Sequence, residues 1–160
     1  VTKEDVAVEF RKTEALLREA ATKGGGNTSS GGILEQWDIS VVNAILAAPV
    51  MHDKDKEWAL LVMGRLNRSA YQENHHLLTM LMHRSLQASL NHGLCGDSVY
   101  AFAAYGLILC GMGRIDEGYR FGRLALDLLE RFRYLGVDLP HVYAIVYTCI
   151  SCNVDPLQSL

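Results

Sequence analysis

Three sets of residues in this 160-residue chain have types and spacings that chemistry uses. Gly111, Gly113, Gly118 and Gly122 fall within twelve positions of an otherwise apolar segment, as in a loop that cradles phosphate. Cys149 and Cys152 stand at C-x-x-C spacing and His92 and Cys95 at H-x-x-C, which would supply four zinc ligands if the two segments met. His75, His76 and His83 flank Met80 in a stretch of helical pattern, where they could line a pocket or hold copper.

Each set lacks something its chemistry needs. A dinucleotide fingerprint is G-x-G-x-x-G after a buried strand, and here the third glycine, Gly118, arrives two residues late. A P-loop needs Lys and a hydroxyl after its last glycine, where this chain has Tyr119 and Arg120, and Asp116 and Glu117 would repel phosphate. Zinc-binding pairs sit on knuckle-like turns, whereas Cys149 falls in a helix interior and Cys152 at its end. No strand precedes C-x-x-C to make a thioredoxin-type redox site. The histidines have no carboxylate or further histidine at ligand spacing and read as partly exposed. No G-x-S-x-G turn presents a nucleophile. We therefore assign no catalytic residue, metal or cofactor from sequence.

Composition narrows the class. The chain is 49% hydrophobic and 21% charged, as in a globular domain with a core. A net charge of −3 and a pI near 6.1, with no basic stripe, exclude a general nucleic-acid binder. Apolar runs such as Val99 to Met112 stay below the roughly 20 residues that cross a bilayer. The four cysteines read as buried thiols in a reducing, cytoplasmic setting. The chain opens on Val1 and a charged helical segment, without a signal sequence, which reads as a piece of something larger.

The elements that must position these residues are all helical in pattern. Residues 1–22 form an N-terminal helix with Val6, Phe10, Leu16, Leu17 and Ala20 on one face. Residues 23–33 are a Gly/Ser linker that would leave that helix loosely tied. A short helix spans Ile39 to Ala47, and Asp53 caps a longer one whose stripe is Trp58, Leu61, Val62, Leu66 and Ala70. Its hairpin partner carries Leu77, Met80, Leu81, Leu86 and Leu90 and stops at Gly93. A second hairpin opens at Asp97 or Ser98, runs to about Gly111, and returns over Ile115 to Phe132. Gly136 ends it, Asp138 caps a helix over about 140–152, and "DPLQSL" begins another.

Hairpin starts near Asp53, Asp97 and Leu139 recur at about forty residues, the range of stacked helical-pair repeats. The expected fold is all-α: antiparallel helical hairpins stacked as an irregular TPR-like solenoid over residues 34–160, truncated at the C-terminus. In the tetratricopeptide pattern Gly106, Gly113, Gly118 and Ala125 take the small-residue positions. Gly118, Gly122 and Ala125 then make a smooth stripe for close helix packing, with Gly113 in the corner.

The stretch "GDSVYAFAAYGLILCGMGRIDEGYRFGRLALDLLERF" resembles the helical region that follows the AAA-type ATPase domain in large signalling proteins, which also join a serine/threonine kinase-like domain, a GAF sensor and often a histidine kinase. The resemblance rests on Ser98 to Tyr105, Tyr105 to Cys110, Gly118-Tyr119, Phe121-Gly122 and Leu124-Ala125-Leu126, and is weaker over Trp58 to Gly93 and Val146 to Leu160. It implies a non-catalytic interaction or relay module of a protein whose other domains bind ATP or transfer phosphate. None of the family's kinase, Walker or histidine-phosphorylation motifs occurs here, so no catalytic residue carries over. Expected partners are other domains of the same polypeptide and further proteins, with no nucleic acid and no membrane insertion. The candidate interaction residues are Tyr119, Arg120, Arg123, Tyr143 and Tyr147. The alternative is a small-molecule sensor or enzyme domain with a pocket lined by His76, Met80, His83 and tyrosines.

Overall fold

Periodic apolar residues separated by capping side chains give seven helices in the computed structural model, which describes residues 1–23, 39–132 and 139–151. They are α1 (Lys3–Lys23), α2 (Ile39–Leu46), α3 (Lys54–Glu73), α4 (His75–His92), α5 (Gly96–Gly111), α6 (Ile115–Phe132) and α7 (Leu139–Ser151). No strand occurs among the described residues, only an isolated bridge between Val50 and Leu94. The fold is all-α. The chain divides into two compact units, Val1–Leu94 and Cys95–Leu160. Residues 24–33 of the Gly/Ser linker, the Gly136 stop, the Asp138 cap, Cys152 and "DPLQSL" lie outside the described residues, as does the side chain of Cys149.

In the first unit, polar caps set the hairpin. Asp53 Oδ1 accepts from the backbone N–H of Asp55 (3.0 Å) and Lys56 (3.3 Å), as expected of an N-cap. Asn74 alone joins α3 to α4: its backbone N–H donates to Ala70 O (2.8 Å) and its Oδ1 accepts from Leu77 N–H (3.0 Å). Ser85 and Met63, each eleven residues from Asn74, touch through Oγ and Sδ at 3.8 Å, so the helices run antiparallel.

Helix α3 buries Ala70 of its expected stripe and half-buries Leu61, but the rest of that stripe faces outward. Leu60, Asn67 and Ala70 are buried, while Trp58, Val62 and Leu66 are 64%, 53% and 50% exposed. Apolar residues surround α3, so helical period alone does not say which stripe meets α4. The same holds on α4, where Leu86 of the expected stripe is fully buried but Leu77 is exposed. Leu78 and Met82 are buried instead, with His83, Ser85, Gln87 and Ser89. Helix α4 contacts both α3 and α1, which explains burial on more than one side. At its end Gly93 has φ 99° and ψ 175°, an extended mirror-image conformation and not the left-handed helical stop expected. A Cβ there would lie 2.7 Å from Pro49 O, because Leu94 exchanges backbone hydrogen bonds with Pro49 and Met51.

In the second unit α5 is apolar on all sides and contacts both α6 and α7. Its cap sits at Cys95, whose backbone N–H donates to Ser98 Oγ at 3.0 Å, two or three residues before the Asp97 or Ser98 start expected. Phe121 of α6 lies between Phe102 (ring centroids 6.4 Å, 22°) and Tyr105 (4.8 Å, 76°). The corner is Gly113 at φ 80°, and Gly106, Gly118, Gly122 and Ala125 are buried. At Gly118 the two helices nearly touch: a Cβ would sit 2.7 Å from Gly106 O and would also collide with Cys110 Sγ. Helix α7 buries Val142, Ile145 and Val146.

This contact reverses the usual sign of a helical glycine. Alanine in place of glycine inside a helix ordinarily gains about 0.5–1 kcal/mol, and Gly64 of α3, with nothing within 4 Å of its Cβ position, is expected to follow that rule. Gly118→Ala should lose about 1–3 kcal/mol from overpacking. Urea denaturation of both variants checks this, and stabilisation by Gly118→Ala would refute the close approach.

Candidate functional site: a buried polar seam between α1 and α4

The stripe of α1 is interrupted by polar residues at i and i+4, Glu9 and Thr13. The helix buries those two and Leu17, leaving Val6, Phe10, Leu16 and Ala20 half-buried. Far from hanging loosely, α1 is tied to α4 through hydrogen bonds. Residues 9–13 of α1 lie beside 83–87 of α4, and its later residues beside 89–94, so the two helices run parallel.

Glu9 is the centre of the seam, its side chain only 4% exposed. Oε1 accepts from Arg84 Nη2 (2.9 Å) and Lys12 Nζ (3.0 Å), and Oε2 from Gln87 Nε2 (3.0 Å). Burial pushes the carboxyl pKa up, but the hydrogen bonds from Lys12 and Gln87 and the charges of Arg84 and Lys12 outweigh it and hold it below its usual value.

Thr13 Oγ1 makes three contacts: Glu9 O at 2.9 Å, Gln87 Nε2 at 3.0 Å and His83 Nδ1 at 3.1 Å. A hydroxyl has one proton and two lone pairs. All three contacts are satisfied when Thr13 donates to Glu9 O and accepts from Gln87 and from a protonated His83 Nδ1. This assigns His83 its Nδ1–H tautomer. The ring is fully buried, with Phe10 edge-on at 5.5 Å and 87°. Burial lowers its pKa from 6.5 to about 4, against the opposing pull of Glu9. His83, read from sequence as partly exposed, is thus a buried, neutral imidazole.

Sequence alone marks His83 as a potential ligand, whereas its role as a core hydrogen-bonding group depends on a partner helix. The available signal was polar residues standing on the apolar face of α1 at helical spacing.

The other sequence candidates are distributed elsewhere. His76 and Met80 are half-buried on α4. Tyr119 is half-buried and Arg120 and Arg123 exposed on α6; Tyr119 and Arg123 are one turn apart. Tyr143 and Tyr147, also one turn apart, are 44% and 73% exposed on α7. Cys95 and Cys110 are buried, and burial first of all raises the Cys95 pKa. Among the described residues no group of three or more His, Cys, Asp or Glu is disposed to hold a metal, and no helix is long and apolar enough to cross a membrane.

Comparison with protein-family models, curated proteins and solved structures returns no match. The seam joins α1 to α4 through hydrogen bonds among Glu9, Thr13, His83, Arg84 and Gln87. It holds one helix against another.

The pKa shifts fix the pH dependence of that hold. His83 binds its proton more weakly in the fold than in the unfolded chain, so stability is lost as pH falls from 6.5 towards about 4. The loss from this group is roughly 3 kcal/mol. Glu9 adds a second loss at lower pH, as its carboxylate is protonated through its depressed folded pKa. Urea unfolding at pH 7 and pH 4 should show the wild-type loss and a much smaller one in His83→Gln. An equal slope in the variant would refute the assignment.

Proposed function

We propose that this chain is a non-catalytic, TPR-like helical-repeat module of a larger cytoplasmic signalling protein, mediating contacts with other domains of the same polypeptide and with protein partners. The observation that carries this reading is the outward face of α3. Trp58, Val62 and Leu66, at i, i+4 and i+8, are each at least half exposed. Apolar side chains aligned on a helix surface mark a place where another element packs, and tryptophan is prominent among residues that anchor such contacts. In a repeat architecture this is the position of a neighbouring helical pair.

The exposed tyrosines of α7 and the exposed arginines of α6 are further candidate contact residues of a different character. Tyr143, Tyr147, Arg120 and Arg123 combine aromatic area with cationic reach, a composition enriched at protein interfaces. The resemblance of residues 96–132 to the region after an AAA-type ATPase domain supports a position for the module between an ATP-dependent domain and downstream sensor or output domains.

A photo-crosslinking residue at position 62, in the protein expressed in its own cells, tests this reading. Crosslinks to a helical segment of the same polypeptide or to a partner protein are expected, and they should vanish when Trp58→Asp and Leu66→Asp are added. The two aspartates should change the unfolding free energy of this chain by less than about 0.5 kcal/mol each, as for exposed positions in general. Absence of any crosslink from the folded protein, or crosslinks indifferent to the two aspartates, would overturn it.

A further inference from the structure

Charge does not balance around Glu9. Its Oε1 accepts from both Lys12 Nζ (3.0 Å) and Arg84 Nη2 (2.9 Å), so one carboxylate faces two cations. The other polar members of the seam, Thr13, Gln87 and the neutral His83, carry no charge to offset the surplus. Helix α4 contains no aspartate or glutamate, and Asp5, one turn before Glu9, accepts from the Thr2 backbone N–H at 2.8 Å. Glu9 is buried while the side chains of Lys12 and Arg84 are half-exposed, so the surplus positive charge lies on the solvent side of the seam.

Both cations are held in place before any ligand arrives. A lysine or arginine on an open surface loses side-chain entropy when it pairs, which cancels most of what an exposed ion pair gains. Here Glu9 has already fixed both heads at one oxygen atom. Among the described residues that oxygen engages one of the five N–H groups of Arg84 and one of the three of Lys12, so donors of both remain for a second acceptor. The guanidinium fork suits a planar acceptor with two oxygens, and the ammonium beside it adds a point charge.

Apolar side chains stand one turn to either side of each cation. On α1 these are Val8 before Lys12 and Leu16 after it; on α4 Met80 and Ala88 flank Arg84 at the same offsets. Val8 is exposed and the other three are half-buried. The two helices run parallel and both cations reach the same oxygen, so the two rows border one side of the α1–α4 contact. A free inorganic anion gains nothing from apolar neighbours, whereas a carboxylate with apolar residues a turn before and after it uses both features.

We propose that Lys12 and Arg84 form a carboxylate-recognition site for an acidic amphipathic helix of a protein partner, which docks with α1 left in place. The partner presents Glu or Asp to the two cations and apolar residues one turn to either side to the rows that begin at Val8 and Met80. This inference uses no residue of the outward face of α3 and does not depend on the repeat-module reading.

The test uses the full 160-residue chain and a fluorescein-labelled, alanine-based helical peptide of about 18 residues with Leu-x-x-x-Glu-x-x-x-Leu at its centre. Anisotropy should show binding with a Kd below about 1 mM at low salt, weakening as added salt screens the charges. Exchanging the peptide's central Glu for Gln, or Lys12→Gln in the chain, should each weaken binding about fivefold or more. Both changes together should weaken it little further, because they remove the same pair. Lys12→Gln leaves Arg84 and Gln87 on Glu9, so its melting temperature should stay close to that of the wild type. Trp58→Asp/Leu66→Asp should leave the peptide affinity unchanged, which separates this site from the α3 face. No binding below 1 mM, equal affinity of the Glu and Gln peptides, or additive effects of the two changes would overturn the proposal. A second arm titrates inorganic phosphate and follows the Arg84 side-chain N–H by NMR. Saturation by phosphate without peptide binding would assign the site to small anions and overturn the helix as its occupant.

Discussion

A carboxylate that is 4% exposed is tolerated only when donors converge on it, and this requirement organises the first unit. Glu9 needs Arg84 and Gln87 at fixed positions on α4, one turn apart on the same side. That fixes the register of α1. It also leaves Gln87 facing Thr13, and Thr13 in turn faces His83, whose ring is excluded from water and stays neutral. One buried charge thus sets a helix register, a tautomer and a pH response. Each follows from the cost of burying a carboxylate, an amide or a hydroxyl without a hydrogen-bond partner.

The second unit solves the same problem of joining helices by opposite means. Between α5 and α6 the interface is closed by removing side chains: Gly118 brings the helix axes together against Gly106 and Cys110, and Phe121 is clasped between Phe102 and Tyr105. Dispersion and burial act over the whole contact, and no individual hydrogen bond decides it. Such an interface is strong and tolerant of partner chemistry but intolerant of added volume. The α1–α4 seam is instead sensitive to the chemistry of its partners, because matched hydrogen bonds set its register.

This contrast explains what was legible in the sequence. Steric and capping features are local, and they can be read from a few consecutive residues. Asp53 as a cap, Gly113 in a corner, and the span of α6 from Ile115 to Phe132 all follow from neighbours in the chain. Which of two apolar stripes faces inward is not local. On α3 Trp58, Val62 and Leu66 of the apolar stripe face outward while Ala70 of the same stripe is buried with Leu60 and Asn67, because α4 and not α3 alone selects the face. Residues 9 and 87 illustrate the same limit: their pairing depends on a register that only the assembled unit supplies.

His83 shows the same limit, because the residue type alone does not say which of its properties the fold uses. Histidine at seven-residue spacing from another histidine invites a ligand argument, which concerns the lone pair of the ring. What places His83 is its ability to be a neutral donor with an apolar ring face, satisfied by Thr13 on one side and covered by Phe10 on another. A buried histidine demands a hydroxyl, amide or carboxylate on a different helix. Glu9 and Thr13, polar residues on an otherwise apolar helix face, were the counterpart of that demand. Polar residues that break an apolar stripe at i and i+4 on one helix, matched by a similar pair on another, are therefore a signature of helix pairing that an amino-acid sequence carries in plain form.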